Sequence, residues 1–317
     1  MGEQEIKSIA IQGKRSPLQK IVNDVAKNKY IYLMLLPVFI YYLMFHYRPM
    51  FGVLIAFQDY VPKKGILGSK WIGLENFKEF FQSPYFWTLL RNTIKISLSS
   101  IVFGFPAPII LALLINELKN RVYSRVVQTI TYLPHFISLV VVCGLLKEFT
   151  LDTGVVNDII AFFGGTRTTM LANPKMFVPL YVISDIWQQV GWNSIIYLAA
   201  LTSIDMQLYE AAKIDGAGRF KQLLHITLPG ISSTIVIMLI LRIGNILNVG
   251  FEKIILLYNP AIYDTADVIS TYVYRVGLQE FKWGFSTAVG LFNSVVNFGF
   301  LILSNQISKR FNDVSLW

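Results

Sequence analysis

The sequence predicts an all-α membrane protein with six transmembrane helices and both termini on the cytoplasmic side. Three observations lead there. Of 317 residues, 54% are apolar and only 15% charged, with a mean hydropathy of +0.52; an ordinary soluble domain carries about 25% charged residues. The apolar residues fall into six blocks near the ~20 residues a membrane helix needs, rather than into one anchor. Lysine and arginine, finally, are denser on one side of those blocks. With the N-terminus inside, the inner segments 1–29, 116–125, 203–229 and 304–317 hold 14 basic residues, and the longer outer segments hold 11.

The N-terminal segment, 1–29, reads as a basic cytoplasmic tail. A full-length apolar block follows it without a small-residue cleavage site, so it is not a removable signal. The first span covers 30–47 and extends toward Phe57, giving a first helix over 30–57. Residues 58–93 form an outer loop. Within it Leu74, Phe77, Phe80 and Phe81 recur at helical spacing opposite Glu75, Lys78 and Glu79, which predicts a short amphipathic helix at the outer interface. The preferred reading of its aromatic residues is that they simply anchor the fold. The other spans are 94–115, 126–146, 177–201, 231–249 and 285–303, a core of 94–305 followed by a cytoplasmic tail over 306–317.

Several chemistries are excluded or unsupported. The single cysteine, Cys143, allows no internal disulfide. His46, His135 and His225 lie far apart without ligand spacing, so no metal site is expected. The net charge of +9 sits beside apolar runs as membrane anchors do, and no nucleic-acid-binding module is visible. The only near-match to a phosphate-binding loop, "GKRS" at 13–16, lacks the upstream glycine and has Arg15 where Ser or Thr should follow the lysine. No nucleophile–base pair stands out, so the chain is expected to be no enzyme.

The inner segment 203–229 is different from a plain connector. Asp205 is a suitable N-cap for a helix starting at Met206, and Asp215-Gly216 ends it. A second short helix runs over about 219–226, and Pro229 suits the first turn of the next span. Ala211 and Ala212 make a small-residue surface with the Glu210 carboxylate beside it, open to a partner arginine. Two readings stand on these residues alone: a docking surface for another protein, or a loop that only joins two spans.

The stretch "EAAKIDGAGRFKQLLHITLP" is similar to the EAA loop of ABC importer permeases, with the pattern carried by Glu210, Ala211, Ala212, Gly216, Ile226, Leu228 and Pro229. "GLENFKEFF" at 73–81, "LLRNTIKIS" at 89–97 and "DIWQQVGWNSIIYLAAL" at 185–201 resemble the carbohydrate branch of that family, nearest the permeases named for polysaccharides or lipoproteins. Asp205 and Ser233 stand where the family often has proline, which affects helix entry angles only. The resemblance implies a type I ABC importer fold in the bacterial cytoplasmic membrane. It implies that Glu210, Ala211, Ala212, Asp215, Gly216, Ile226, Leu228 and Pro229 couple to an ATPase. The implied partners are a second related permease, a cytoplasmic ATPase dimer that binds ATP and Mg²⁺, and an extracytoplasmic solute-binding protein. The implied cargo is an oligosaccharide. An ABC permease for another solute, and less favourably a secondary transporter, are the alternatives.

Polar residues within spans are costly and mark candidate paths. Gln189, Trp192 and Asn193 continue the fourth span, Asn245 and Asn248 lie on the fifth, and Asn293 and Asn297 share one face of the sixth. Amides suit sugar hydroxyls, and Trp192 can stack on a sugar face. Each of these groups could instead bond to a neighbouring helix. Asp185 and Arg242, the most conspicuous charges within spans, could face the path or pair with each other.

Overall fold

A computed structural model describes residues 23–312, 315 and 316. It divides into two compact units, 1–54 and 55–317. Most of the N-terminal tail lies outside the described residues.

The first unit is dominated by α1, Lys29–Phe57, whose last residues pass into the second. Apolar residues cover all sides of it, and none from Lys29 to Met50 is buried. A helix apolar all round must be surrounded by lipid or protein. Pro37 lies inside it, and a widened π turn covers Leu43–Tyr47 just before Pro49.

The second unit opens with a small antiparallel pair, Gln58–Asp59 against Lys70–Trp71. Then comes α2, Glu75–Gln82, the amphipathic helix of the outer loop. Its Phe80 is buried against Phe86, Phe285 and Phe292, and its Asn76 donates to the Ala56 and Gln58 carbonyls. The aromatics thus anchor the fold.

Helix α3, Phe86–Asn116, starts well before the expected span, so "LLRNTIKIS" is part of it. Asn120 caps α4, Arg121–Phe136, by accepting from the Val122 and Tyr123 amides. Helix α5, Leu139–Phe149, follows at 95° to α4. The expected straight span over 126–146 is therefore corrected to a bent pair. Pro134 has no amide to donate, and Ile137 and Ser138 are extended. After α6, Val155–Phe162, comes α7, Pro174–Leu201, 28 residues and about 42 Å long.

Helices α8, Met206–Ile214, and α9, Arg219–Gly230, form the hairpin. Helix α10, Ser232–Ile243, leaves α9 at 59°. Pro229 lies in the last turn of α9, and the bend falls at Ile231. That corrects the expectation that Pro229 opens the next span. The π turn Leu223–Thr227 just upstream widens the helix where the proline ring needs room. The expected span over 231–249 is also interrupted, because regular helix stops at Ile243 and 244–250 are irregular. Short helices α11, Phe251–Leu257, and α12, Ile269–Tyr274, lead to α13, Trp283–Asn312.

Among the described residues, α1, α3 and α13 are each long and apolar enough to cross a membrane, and the pairs α4–α5 and α9–α10 qualify when each is taken as one bent span. Helix α7 packs along the second half of α3, burying Ile109, Ala112, Tyr197 and Leu201 with Ile231. A second cluster joins Phe177, Tyr181 and Val182 of α7 to Ile96, Ile254 and Leu257. Close approach rests on small residues. A Cβ on Gly191 would sit 2.1 Å from the Thr131 carbonyl oxygen.

Candidate functional site

Two regions carry candidate chemistry. The first is the α8–α9 hairpin. The Asp205 carboxylate accepts from the Gln207 amide at 2.9 Å and caps α8. Gly216, at φ +74°, stops it. There the Gly216 amide donates to the Lys213 carbonyl and the Ala217 amide to the Ala212 carbonyl, a Schellman closure. The Tyr209 hydroxyl meets Thr227 Oγ1 at 2.9 Å and ties the two helices together. The hairpin is thus a built element with a set angle.

Glu210, Ala211, Asp215, Gly216 and Pro229 are exposed, and Ala212, Ile226 and Leu228 half-buried. Beside them Ile214 is 87% and Phe220 71% exposed. Glu117, in the α3–α4 loop, lies 3.7 Å from Arg219 across the solvent-exposed surface. Such a pair contributes little to stability.

The second region is the irregular segment 244–250. Freed backbone groups at membrane depth need partners inside the protein or a cavity. Here three helices supply them. Ser97 Oγ of α3 donates to the Ile246 carbonyl. Asn297 of α13 accepts from the Leu247 amide at 2.9 Å, and Tyr181 of α7 accepts from the Gly250 amide at 3.2 Å. Asn293 of α13 donates to Asn248 Oδ1 at 2.8 Å.

Two cavities flank this break and share Asp185 and Arg242 as a common wall. One, about 380 Å³, is lined also by Gln189, Asn193 and Tyr197. The other, about 240 Å³, is lined also by Ser97, Tyr181, Asn245 and Asn248. Interrupted helices beside a mid-membrane cavity are a recurring way to build a substrate site.

The expected path residues separate. Gln189, Asn193, Asn245 and Asn248 come together around the two cavities. Asn293 touches the group through Asn248. Trp192 lines neither cavity. It stacks on the His135 ring at 4.3 Å, while His135 Nδ1 meets Gln189 Oε1 at 2.9 Å. Asn297 is 6% exposed and bonds to backbone, so it holds the break rather than facing a passage. Asn297→Leu should leave the Leu247 amide without a partner at a cost of about 1–3 kcal/mol, read as a lower melting temperature in detergent.

Asp185 pairs with Lys253, at 3.5 Å, and not with Arg242. Lys253 is 3% exposed, donates to the Tyr181 carbonyl at 3.1 Å and lies over the Tyr181 ring. Sequence reasoning misses Lys253, which sits in a segment expected to lie outside the membrane. It also misses Tyr181 and Ser97. The one local signal for the break is the density of Gly and Asn in "GNILNVG" at 244–250.

Residues 104–313 match the family model described as binding-protein-dependent transport system inner membrane component. The polygalacturonan/rhamnogalacturonan transport system permease protein YteP of Bacillus subtilis (strain 168) is 45% identical over 97% of this chain and 96% of its own length. Protein LplB of the same organism is 46% identical over 92% of each chain. A chain in the crystal structure of a bacterial ABC transporter that imports the acidic polysaccharide alginate is 46% identical, superposes with a TM-score of 0.86, and is matched over 99% of its length and 92% of this one. A family match over most of the interrupted-helix core, together with relatives aligned nearly end to end, means that this chain belongs to the inner membrane components of binding-protein-dependent transport systems.

Proposed function

We propose that this chain is one of two permease subunits of an ATP-driven importer of oligosaccharides. It crosses the bacterial cytoplasmic membrane six times with both termini inside, α7 and the two bent pairs joining α1, α3 and α13 as spans. An extracytoplasmic binding protein delivers the sugar. A cytoplasmic ATPase dimer binds ATP and Mg²⁺, and this chain supplies no nucleotide site. The full-length likeness to permeases named for polygalacturonan and alginate transport supports the class of cargo.

The observation that carries the coupling role is the exposed hairpin, capped at Asp205, closed at Gly216 and clamped by Tyr209 and Thr227. A rigid element with an exposed apolar and carboxylate surface can pass on motion that a floppy loop would absorb. Glu210, Ala211, Ala212, Asp215, Gly216, Ile226, Leu228 and Pro229 form or shape that surface. Docked in an ATPase groove, it turns closure of the ATPase dimer into rotation of the membrane helices. The amides around the break line the passage, with the cavity groups Gln189, Asn193, Asn245 and Asn248 meeting sugar hydroxyls.

Glu210→Lys tests this reading. In the transporter reconstituted with its second permease, ATPase and binding protein, the variant should assemble in the membrane yet lose ATPase docking and sugar-stimulated ATP hydrolysis. Normal docking and normal stimulated hydrolysis would reduce the hairpin to a connector.

A further inference from the structure

Arg242 ends α10 at the edge of the break and lines both cavities. The only other charged side chain lining either cavity is Asp185, and its ion pair is with Lys253. Lys253 lines neither cavity but pairs with the one carboxylate that does, so Arg242 is the cation left over at the wall. Arg242 itself makes no ion pair or side-chain hydrogen bond among the described residues. Arg242 is exposed in this chain, open to the cavities it lines, and because arginine keeps its proton, a guanidinium facing a transport path is matched by an anion. A neutral sugar offers none, whereas a carboxylate matches the guanidinium fork with two parallel hydrogen bonds.

The neighbouring groups indicate where that carboxylate comes from. Asn245 and Asn248 on one side of Arg242, and Gln189 and Asn193 on the other, offer amides to hydroxyl groups. The larger cavity, about 380 Å³, falls within the range of about 300–1,000 Å³ for small-ligand sites. One ligand that carries both hydroxyls and a carboxylate satisfies all of these groups together.

We propose that Arg242 reads the carboxylate of a uronic-acid residue, so that the cargo is an acidic oligosaccharide and Arg242 selects it over neutral ones. This rests on the importer reading given above.

Calorimetry on the purified complex of this chain with its second permease and ATPase, trapped with ATP and vanadate and without binding protein, tests it with two probes: trigalacturonate and its fully methyl-esterified, uncharged counterpart. The wild type should bind trigalacturonate more tightly than the ester. Arg242→Gln should weaken trigalacturonate roughly tenfold or more, the scale of a lost charge-assisted hydrogen bond, and leave the ester unchanged. Arg242→Lys should retain part of the preference. Equal wild-type binding of the two probes, no binding of either, or an unaltered Arg242→Gln affinity overturns the proposal. An equal loss of both probes also overturns it, because Arg242 then answers a carboxylate of the partner permease. Should Arg242→Gln fail to assemble, the wild-type comparison of acid and ester decides alone. The importer reading fails separately, when no binding-protein-delivered oligosaccharide of any charge stimulates ATP hydrolysis.

Discussion

Asp185→Ala should destabilise the protein by about 3 kcal/mol, the low end for breaking one half of a buried ion pair. Lys253 is nearly fully enclosed, and Asp185 is its counter-ion. Removing the carboxylate leaves an ammonium with only the Tyr181 carbonyl and ring to face. The low end applies because the Asp185 side chain is itself 31% exposed. Lys253→Met should also destabilise, but by less, since a flexible apolar chain fills most of the space. The double variant should recover much of the loss, as replacing both partners of a buried pair often costs little. Melting temperatures of the four proteins in detergent complete the cycle. Additive losses would show that the pair has no energetic coupling.

Gly191→Val should be the most damaging change of a single small residue. The Cβ position lies 2.1 Å from the Thr131 carbonyl oxygen, 2.4 Å from its carbon and 2.9 Å from the Tyr132 nitrogen. All three are backbone atoms, so α4 and α7 must separate. Overpacking of this kind costs about 1–3 kcal/mol or more, and in a membrane it removes the close contact on which helix association depends. The contacts around it would go as well: Gln188 with the Ile137 carbonyl, His135 with Gln189, and the His135–Trp192 stack. The complex should fail to purify as a single assembled species. Gly144→Ala, with nothing within 4 Å of its Cβ position, is the matched control and should assemble normally.

Local chemistry makes part of this molecule readable from its residues. Asp205, Gly216 and the apolar blocks act over a few positions, so the hairpin's start and stop and the approximate places of most spans follow directly. What escapes is whatever depends on distant partners. The bend at Ile137 is held by Gln188, and the break at 244–250 by Ser97, Tyr181 and Asn297, residues scattered over three helices. Hydropathy registers composition and not direction, so both interruptions look like continuous spans. Lys253 reads as a loop cation because its counter-ion lies 68 positions away. Asn297 reads as a path-liner because helical spacing sets the face it shares with Asn293, not what that face meets.

The arrangement that holds the break has a consequence for biosynthesis. Ser97 and Tyr181 emerge from the ribosome before the segment they bind, but Asn297 emerges last. Until α13 is made and inserted, the Leu247 amide has no assigned acceptor and Asn248 lacks its donor. The nascent chain must therefore keep this region hydrated, or shielded by the insertion machinery, while the remaining helix is translated. A chain cut short ahead of Asn297 would keep most of its apolar spans and still carry exposed backbone where lipid cannot satisfy it.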